Sequence, residues 1–265
     1  MTATGTWVAL FSGGKDSSLA LYRALERDLP VDRLLTVHPP RDSYMYHVPA
    51  TDLAGLAAES IGLPLEELEL AAQAPGTDST TAPVQADTRP DDPDSFSTDQ
   101  PTTPDSTTRG DAEVEPLRER LAALDTELAG GLAGIVAGAV ESEFQTSRLE
   151  RVAAALEIDC FAPLWRADPE TLAEELLEAG FEIVVVQVAA GGLDESWLGR
   201  TLDRAAFDEL AELGETHGVH LLGEGGEYET IVTDGPHMAR PIRLEHEREW
   251  AGNRGRLRIT DAWLA

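Results

Sequence analysis

A short apolar segment that runs into two glycines and then a helical pattern is the feature that most constrains this chain. Residues 6–11, TWVALF, predict a buried strand, and residues 15–28 carry leucines near helical spacing. The string SGGKDS at residues 12–17 spans the junction, and its first three residues leave room only for a tight turn. A strand followed at once by a helix is the repeating unit of a parallel sheet with right-handed crossovers.

The alternation of strands and helices continues along the chain and predicts an α/β fold. Further strands are predicted at residues 33–38, 65–70, 132–140 and 181–190. Further helices are predicted at residues 50–62, 114–128, 142–157, 168–180 and 201–214. Beyond residue 219 we expect short strands, with antiparallel pairing between PIRLEHEREW and RLRITDAWL.

Residues 74–113 interrupt the alternation. Pro, Thr, Ser and Asp dominate this segment, and Phe96 is its only large apolar side chain. Such a composition buries too little surface to offset the entropy lost on ordering, so we predict a disordered acidic insertion.

The net charge of −29, with 49 acidic against 20 basic residues, restricts the partners of the protein. It argues against direct nucleic-acid binding and against docking on an anionic membrane. A charge this large is typical of a protein from a salt-rich cytoplasm, where self-repulsion is screened. One cysteine excludes an internal disulfide, and the N-terminal residues show no signal-peptide pattern, so we expect a cytoplasmic protein.

The SGGKDS turn predicts a phosphate-binding loop. Two glycines allow backbone amides to approach an anion closely, and the following helix presents unpaired amides and the positive end of its dipole. Lys15, the only lysine of the chain, adds a compact charge that suits a narrow phosphate site better than the planar fork of arginine. Asp16 beside phosphate implies a bridging Mg²⁺ ion. The string is not the nucleotide loop GxxxxGK[ST], because the first glycine would fall at Ala9 and Asp16 follows the lysine.

Two further strings point to a binding site. GAVESEFQTSR, residues 138–148, follows a predicted buried strand, and ligands of open α/β sheets bind at the carboxyl ends of strands. LLGEGGEYETIVTDGP, residues 221–236, crowds three acids around two glycines and a tyrosine, which suits a positively charged ligand such as a quaternary ammonium group.

Together these strings resemble the diphthine–ammonia ligase family, and the SGGKDS loop alone resembles that of the wider ATP pyrophosphatases. The resemblance covers the chain outside the insertion and also includes SYMYH (43–47) and APLW (162–165). GEGGEYETIVTDGP is its most specific part. The chain departs from the family at the insertion and at Glu143-Phe144, where Asp-Tyr is more common.

The resemblance implies a parallel-sheet PP-loop domain of the adenine nucleotide alpha hydrolase-like type over residues 1–160, followed by a smaller α+β domain over residues 161–265. It implies a ligase that uses ATP and Mg²⁺ to activate the diphthine carboxylate of translation elongation factor 2 as an acyl-adenylate. Ammonia then displaces AMP to form the amide of diphthamide. The protein partner is therefore the elongation factor, with no membrane and no direct nucleic acid.

Our hypothesis for the site has three groups of residues. The phosphates and Mg²⁺ are held by Ser12, Gly13, Gly14, Lys15, Asp16 and Ser17, with Asp16 as the metal ligand. The adenosine is lined by Val37, His38, Gly138 and Ala139. The substrate is bound by His47, Ser142, Gln145, Arg148, Glu224, Gly225, Gly226, Glu227 and Tyr228.

Within that hypothesis Lys15, Asp16, Glu224 and Glu227 are the catalytic candidates. His47 is the candidate to accept a proton from ammonium. The other five histidines are interpreted mostly as surface residues, and Cys160 as a core residue.

Two rival functions stay open at this point. One is an ATP pyrophosphatase that modifies transfer RNA, which the single cysteine and the negative charge disfavour. The other is a non-catalytic ATP-binding sensor, which the complete loop disfavours.

Overall fold

A computed structural model describes residues 5–38, 53–70, 106–141 and 143–265 of the chain. Its first sheet has five strands, each followed or preceded by a helix. The strands are β1 (Thr6–Leu10), β2 (Val31–His38), β3 (Leu65–Glu69), β4 (Leu132–Val136) and β5 (Asp159–Phe161). The helices are α1 (Lys15–Glu26), α2 (Ala54–Ile61), α3 (Ser106–Glu127) and α4 (Glu143–Ala155).

The five strands are parallel and lie in the order β3-β2-β1-β4-β5. The chain builds outwards from β1 to β2 and β3, then returns to place β4 on the other side of β1. The strand order therefore reverses between β1 and β4, and the loops after these two strands border the crevice where open α/β sheets bind ligands.

Both faces of this sheet are covered, which explains why β1 and β4 read as continuous apolar segments. On one face, Leu19 and Leu21 of α1 and Ala57 of α2 are fully or almost fully buried. On the other face, Leu121 of α3 and Val152 of α4 belong to a second cluster. The predicted parallel α/β arrangement is confirmed.

A second sheet follows, with antiparallel strands in the order β7-β6-β9-β8. Its strands are β6 (Glu182–Val188), β7 (Tyr228–Asp234), β8 (Ile242–Ala251) and β9 (Arg254–Leu264), and its helices are α5 (Pro169–Glu178) and α6 (Arg204–His217). The side chain of Asp168 caps α5 by accepting from the Thr171 amide at 2.9 Å, as the Asp-Pro start predicts. The predicted pairing of the two C-terminal segments is confirmed by the β8–β9 hairpin.

One continuous apolar cluster joins the two sheets, since it contains Phe11 and Leu19 as well as Val185 and Leu257. The first sheet ends at Phe161 and the second begins with β6 at Glu182. The division into domains at residues 160 and 161 stays a prediction.

The structure corrects one boundary of the predicted insertion. Helix α3 begins at Ser106, so the last eight residues of the segment predicted to be disordered are helical. The buried residues Leu117, Leu121 and Leu124 anchor this helix on the sheet, and an anchored helix propagates outwards through residues of poor intrinsic propensity. Most of the predicted insertion, residues 74–105, lies outside the described residues.

Among the described residues, no helix is long and apolar enough to cross a membrane. Cys160 lies on β5, half-buried, and packs against the second apolar cluster. Burial raises the pKa of its thiol.

Candidate active site at the junction of the two sheets

The SGGKDS turn connects β1 to α1 and is held in shape by its own serines. The Ser17 hydroxyl donates to the Gly14 carbonyl at 3.1 Å, and the Ser12 amide donates to the Ser17 hydroxyl at 3.2 Å. Gly13 has φ +80°, a backbone conformation that favours glycine. The amides of Asp16 and Ser17 in the first turn of α1 make no described hydrogen bond, as is typical of first-turn amides, which lack intrahelical partners.

Lys15 begins α1 and is only 4% exposed. Its Nζ lies 2.8 Å from Oδ2 of Asp16 and 5.8 Å from the ring centroid of Tyr228. Its backbone amide donates to Oγ1 of Thr230 at 3.3 Å. The single lysine is therefore a buried charge with a fixed position between the two sheets.

Strand β7 fixes the turn from the second sheet. The amide of Val232 donates to the carbonyl of Gly13 at 2.9 Å. A Cβ added to Gly14 would lie 3.3 Å from the Thr230 carbonyl oxygen. The phosphate-type turn and the second sheet are thus in direct backbone contact.

The turn after β4 closes the other side of the crevice. A Cβ on Gly138 would lie 2.7 Å from the carbonyl carbon of Asp16 and 2.7 Å from the amide nitrogen of Ser17. Only glycine allows this approach, so the predicted meeting of residue 138 with the turn is confirmed in the structure. Ala139 lies in the same turn.

The two residues predicted at the end of β2 point to different neighbours. Val37 packs against the apolar cluster that contains α3 and α4. His38 forms an ion pair with Glu67, with 3.1 Å between Nε2 and Oε1. Neither contact involves residues 12–17, and their part in an adenosine site stays a prediction.

The acidic loop, which we define as residues 220–228, packs beside Lys15 and is folded on itself. Glu227 organises it, because its Oε1 accepts from the His220 amide at 3.1 Å and its Oε2 from the Gly225 amide at 2.9 Å. Gly226 donates to the Gly223 carbonyl at 3.0 Å. The carboxylate of Glu227 is therefore used by the loop itself.

Glu224 differs from Glu227 in its surroundings. Burial, followed by the charge of Asp16, raises the pKa of the Glu224 carboxyl, while Lys15 and the backbone amide of Glu141 oppose the increase; the resulting pKa is about 7. Glu224 is the acid of the loop that faces across the crevice to the SGGKDS turn.

Tyr228 and Glu229 begin β7. The Tyr228 hydroxyl donates to the Leu221 carbonyl at 2.6 Å, its ring is 4% exposed, and burial raises its pKa well above the usual value. Burial also raises the pKa of Glu229 to about 7. The tyrosine ring faces Lys15, so its predicted cation contact is occupied by the protein's own ammonium group.

His220 is a site residue that sequence reasoning missed, since it was expected at the surface. Its Nδ1 accepts from the amides of Leu222 and Glu224 at 3.1 and 3.4 Å, and its Nε2 lies 3.5 Å from Oε1 of Glu141. A histidine three residues before the GEGG string was the signal available. The expectation is also wrong for His237, whose ring nitrogens are buried and whose pKa burial lowers to about 4.

Four other predicted substrate residues are not brought to this crevice by described contacts. Arg148 is 6% exposed and lines a groove with Val114, Glu115 and Arg151 between α3 and α4. His47 and Ser142 lie outside the described residues, as does the side chain of Gln145.

The donor set fits a nucleotide triphosphate better than a metal ion held by protein alone. Among the described residues, no group of three or more His, Cys, Asp or Glu side chains could hold a metal ion. Mg²⁺ commonly uses one or two carboxylates and completes its shell with phosphate oxygens and water. Asp16, next to a lysine and at a helix N-terminus, suits that arrangement.

Comparison with known proteins identifies the same family through two separate parts of the chain. A sequence model of the diphthamide synthase N-terminal domain matches residues 5–79, and one of the C-terminal domain matches residues 168–264. These ranges contain the SGGKDS turn and the acidic loop. A diphthine–ammonia ligase of Danio rerio is 30% identical over 90% of this chain and 86% of its own length. Diphthine–ammonia ligases of Bos taurus and Homo sapiens are 31% and 30% identical, each over 89% of this chain and 82% of their own length.

Proposed function

Because the chain belongs to the diphthine–ammonia ligase family, we propose that it catalyses the ATP-dependent amidation of diphthine to diphthamide on translation elongation factor 2. The diphthine carboxylate attacks the α-phosphate of ATP, which forms an acyl-adenylate and releases pyrophosphate. Ammonia then adds to the acyl carbon, and AMP leaves with the bonding electrons while ammonia loses a proton. The products are the amide, AMP and pyrophosphate.

The observation that carries this proposal is the direct contact of the SGGKDS turn with the strand that follows the acidic loop. Gly13 and Lys15 bond to Val232 and Thr230 of β7. The turn that carries the single lysine and the loop that carries the acids therefore face one crevice, as a reaction between ATP and a cationic acyl acceptor requires.

At the ATP end, the residues of the turn would bind the β- and γ-phosphates. Negative charge grows on pyrophosphate as it leaves, so fixed donors there act on the transition state. Lys15 supplies a full charge, and in the free protein it is balanced by Asp16 at 2.8 Å. Asp16 would hold Mg²⁺, which when bound would neutralise part of the phosphate charge. Lys15 would then be free to bind the phosphates.

At the acceptor end, Glu224 is the better of the two predicted acids. Diphthine carries a trimethylammonium group, which has no hydrogen-bond donor and needs a nearby negative charge. The carboxylate oxygens of Glu227 already accept two loop amides, whereas Glu224 faces the crevice. We therefore assign cation binding to Glu224 and loop stability to Glu227 and Tyr228.

Ammonia must arrive from solution or from a partner. A glutaminase nucleophile needs a lowered thiol pKa, whereas the pKa of the only cysteine is raised by burial. His47, the predicted acceptor of the ammonium proton, lies outside the described residues and stays a prediction.

The test is an assay with purified chain, ATP, Mg²⁺, ammonium and diphthine-bearing elongation factor 2 at high salt. Mass spectrometry measures conversion of the carboxyl to the amide, and chromatography measures AMP. We expect one AMP for each amide and loss of both in Lys15→Ala. AMP without amide would keep the ATP site and refute the acceptor, and ATP binding without AMP would support a sensor.

A further inference from the structure

His220 connects the acidic loop to the turn after β4. Within the loop its ring accepts two backbone amides, those of Leu222 and Glu224. Outside the loop its Nε2 lies 3.5 Å from Oε1 of Glu141. The side chain is about 25% exposed, so it is largely enclosed at the edge of the crevice.

The hydrogen bonds define which ring nitrogen carries the proton of neutral His220. A nitrogen that accepts from amides presents a lone pair, so Nδ1 is unprotonated. The proton of the neutral ring is then on Nε2, directed to the Glu141 carboxylate. The ring therefore accepts from the acidic loop on one side and faces the Glu141 carboxylate on the other.

Glu141 is bound to the acidic loop twice. Its carboxylate lies 3.5 Å from Nε2 of His220, and its backbone amide is near enough to the Glu224 carboxylate to lower the pKa of that group. The Glu224 amide in turn donates to Nδ1 of His220. These three residues form a closed set of contacts that fixes both the backbone and the carboxylate of Glu224.

The other side-chain hydrogen bonds of the loop stay within the loop. Glu227 accepts from His220 and Gly225, and Tyr228 donates to Leu221, all within residues 220–228. They shape the loop but do not orient it towards the turn after β4. The contacts of His220 and Glu224 with Glu141 orient the loop towards that turn.

We propose that His220 is a positioning residue, which holds the acidic loop so that the Glu224 carboxylate stays across the crevice from Lys15 and Asp16. This inference rests on the proposed function, because it assigns His220 to binding of the acyl acceptor rather than of ATP. His220 acts through Glu224 and does not itself touch the reacting atoms.

Two substitutions at His220 test the roles of Nδ1 and Nε2 separately. In His220→Asn the side-chain oxygen stands near the place of Nδ1 and can accept the loop amides. In His220→Gln the amide group stands near the place of Nε2 and the Nδ1 acceptor is lost. His217→Asn, at an exposed position in the last turn of α6, is the matched control.

The experiment measures hydrogen exchange of the Leu222 and Glu224 amides together with KM and kcat for ATP and for the elongation factor. For His220→Gln we expect exchange at least tenfold faster and kcat/KM for the factor about tenfold to hundredfold lower. KM for ATP should stay within about twofold. His220→Asn should keep the exchange protection and most of the activity.

Three results would overturn the inference. The first is that the loop amides keep their exchange protection in His220→Gln. The second is that His220→Asn loses as much activity as His220→Gln. The third is that both variants raise KM for ATP as much as they raise KM for the factor. If wild type and His217→Asn make no amide, the proposed function fails on its own. The hydrogen-exchange data then test the positioning role separately. That role requires the loop amides to lose protection in His220→Gln and to keep it in His220→Asn.

Discussion

The SGGKDS turn and the acidic loop both contain a glycine pair beside charged residues, but they use their hydrogen-bond groups in opposite ways. In the turn, serine hydroxyls make the internal bonds, and the lysine and aspartate face each other. In the acidic loop, the Glu227 carboxylate and the His220 ring accept the backbone amides. The amides of Ser12 and Lys15 in the turn donate to protein hydroxyl groups, but no described hydrogen bond uses the amides of Asp16 and Ser17, which stay available for an anion. The acidic loop instead binds its amides through its own side chains.

This difference indicates which side chains remain available to bind a ligand. A segment that satisfies its amides internally is preorganised and contributes only the side chains that its own bonds leave over. In the acidic loop that side chain is Glu224. The turn instead depends on a ligand to complete it, so its residues should act together in ATP binding.

The largest effect is expected at Lys15. Lys15→Ala should lower the rate of AMP release by about 10²–10³-fold, since a fixed donor at developing charge is worth roughly 3–4 kcal/mol. Lys15→Arg should be nearly as poor, because the side chain is 4% exposed between Asp16 and Tyr228 and a guanidinium needs more room. Single-turnover AMP release measures both variants, and a fully active Lys15→Arg would contradict the account of the narrow site.

Gly138→Ala should displace the SGGKDS turn, because Gly138 contacts its backbone. Its Cβ would lie 2.7 Å from backbone atoms of Asp16 and Ser17, so the start of α1 must move. We expect ATP affinity to fall about tenfold or more and stability by about 1–3 kcal/mol, measured by calorimetry and urea unfolding.

Gly55→Ala is the matched control for this substitution, because a Cβ at Gly55 in α2 meets nothing within 4 Å. It should leave ATP affinity unchanged and raise stability by about 0.5–1 kcal/mol. Equal effects of the two alanines on ATP affinity would refute the contact argument.

Glu227→Gln tests whether the acidic loop is stabilised from within. A glutamine has one acceptor oxygen, so it can satisfy only one of the two amides that Glu227 binds. We expect a loss of about 1–2 kcal/mol in urea unfolding, with ATP affinity unchanged. Glu215→Gln, exposed on α6, should change neither. If Glu227→Gln has the same free energy of unfolding as wild type, the loop does not depend on this carboxylate.

At Glu229 we expect a change in the pH dependence of stability rather than in ATP binding. Burial raises its pKa from 4.5 to about 7, so the folded chain binds a proton that the unfolded chain has released between these values. The contribution of this group to stability therefore falls as pH rises from 4.5 to 7. Glu229→Gln should match wild type near pH 4 and be more stable by about 1–3 kcal/mol at pH 8. Equal stability of the two chains at both pH values would contradict the burial effect.

The sequence predicted what local patterns encode. The strand–turn–helix of residues 6–28 and the cap of α5 each depend on a few adjacent residues, and both are found. The approach of Gly138 to Asp16 followed from the general rule that ligand sites lie at the carboxyl ends of parallel strands. Tertiary contacts determined the rest. Helix α3 extends to Ser106 because its apolar residues pack on the sheet, and Arg148 faces α3 because of its rotation on α4. The role of His220 depends on Glu141, 79 positions away, which no local pattern encodes.

The central claim is that the turn serves ATP and the acidic loop serves the acceptor. Steady-state amidation by Glu224→Gln tests it most directly, with ATP and the elongation factor varied separately. The account predicts that KM for the factor rises about tenfold or more while KM for ATP stays within about twofold. An equal rise in both values, or no change in the KM for the factor, would contradict it.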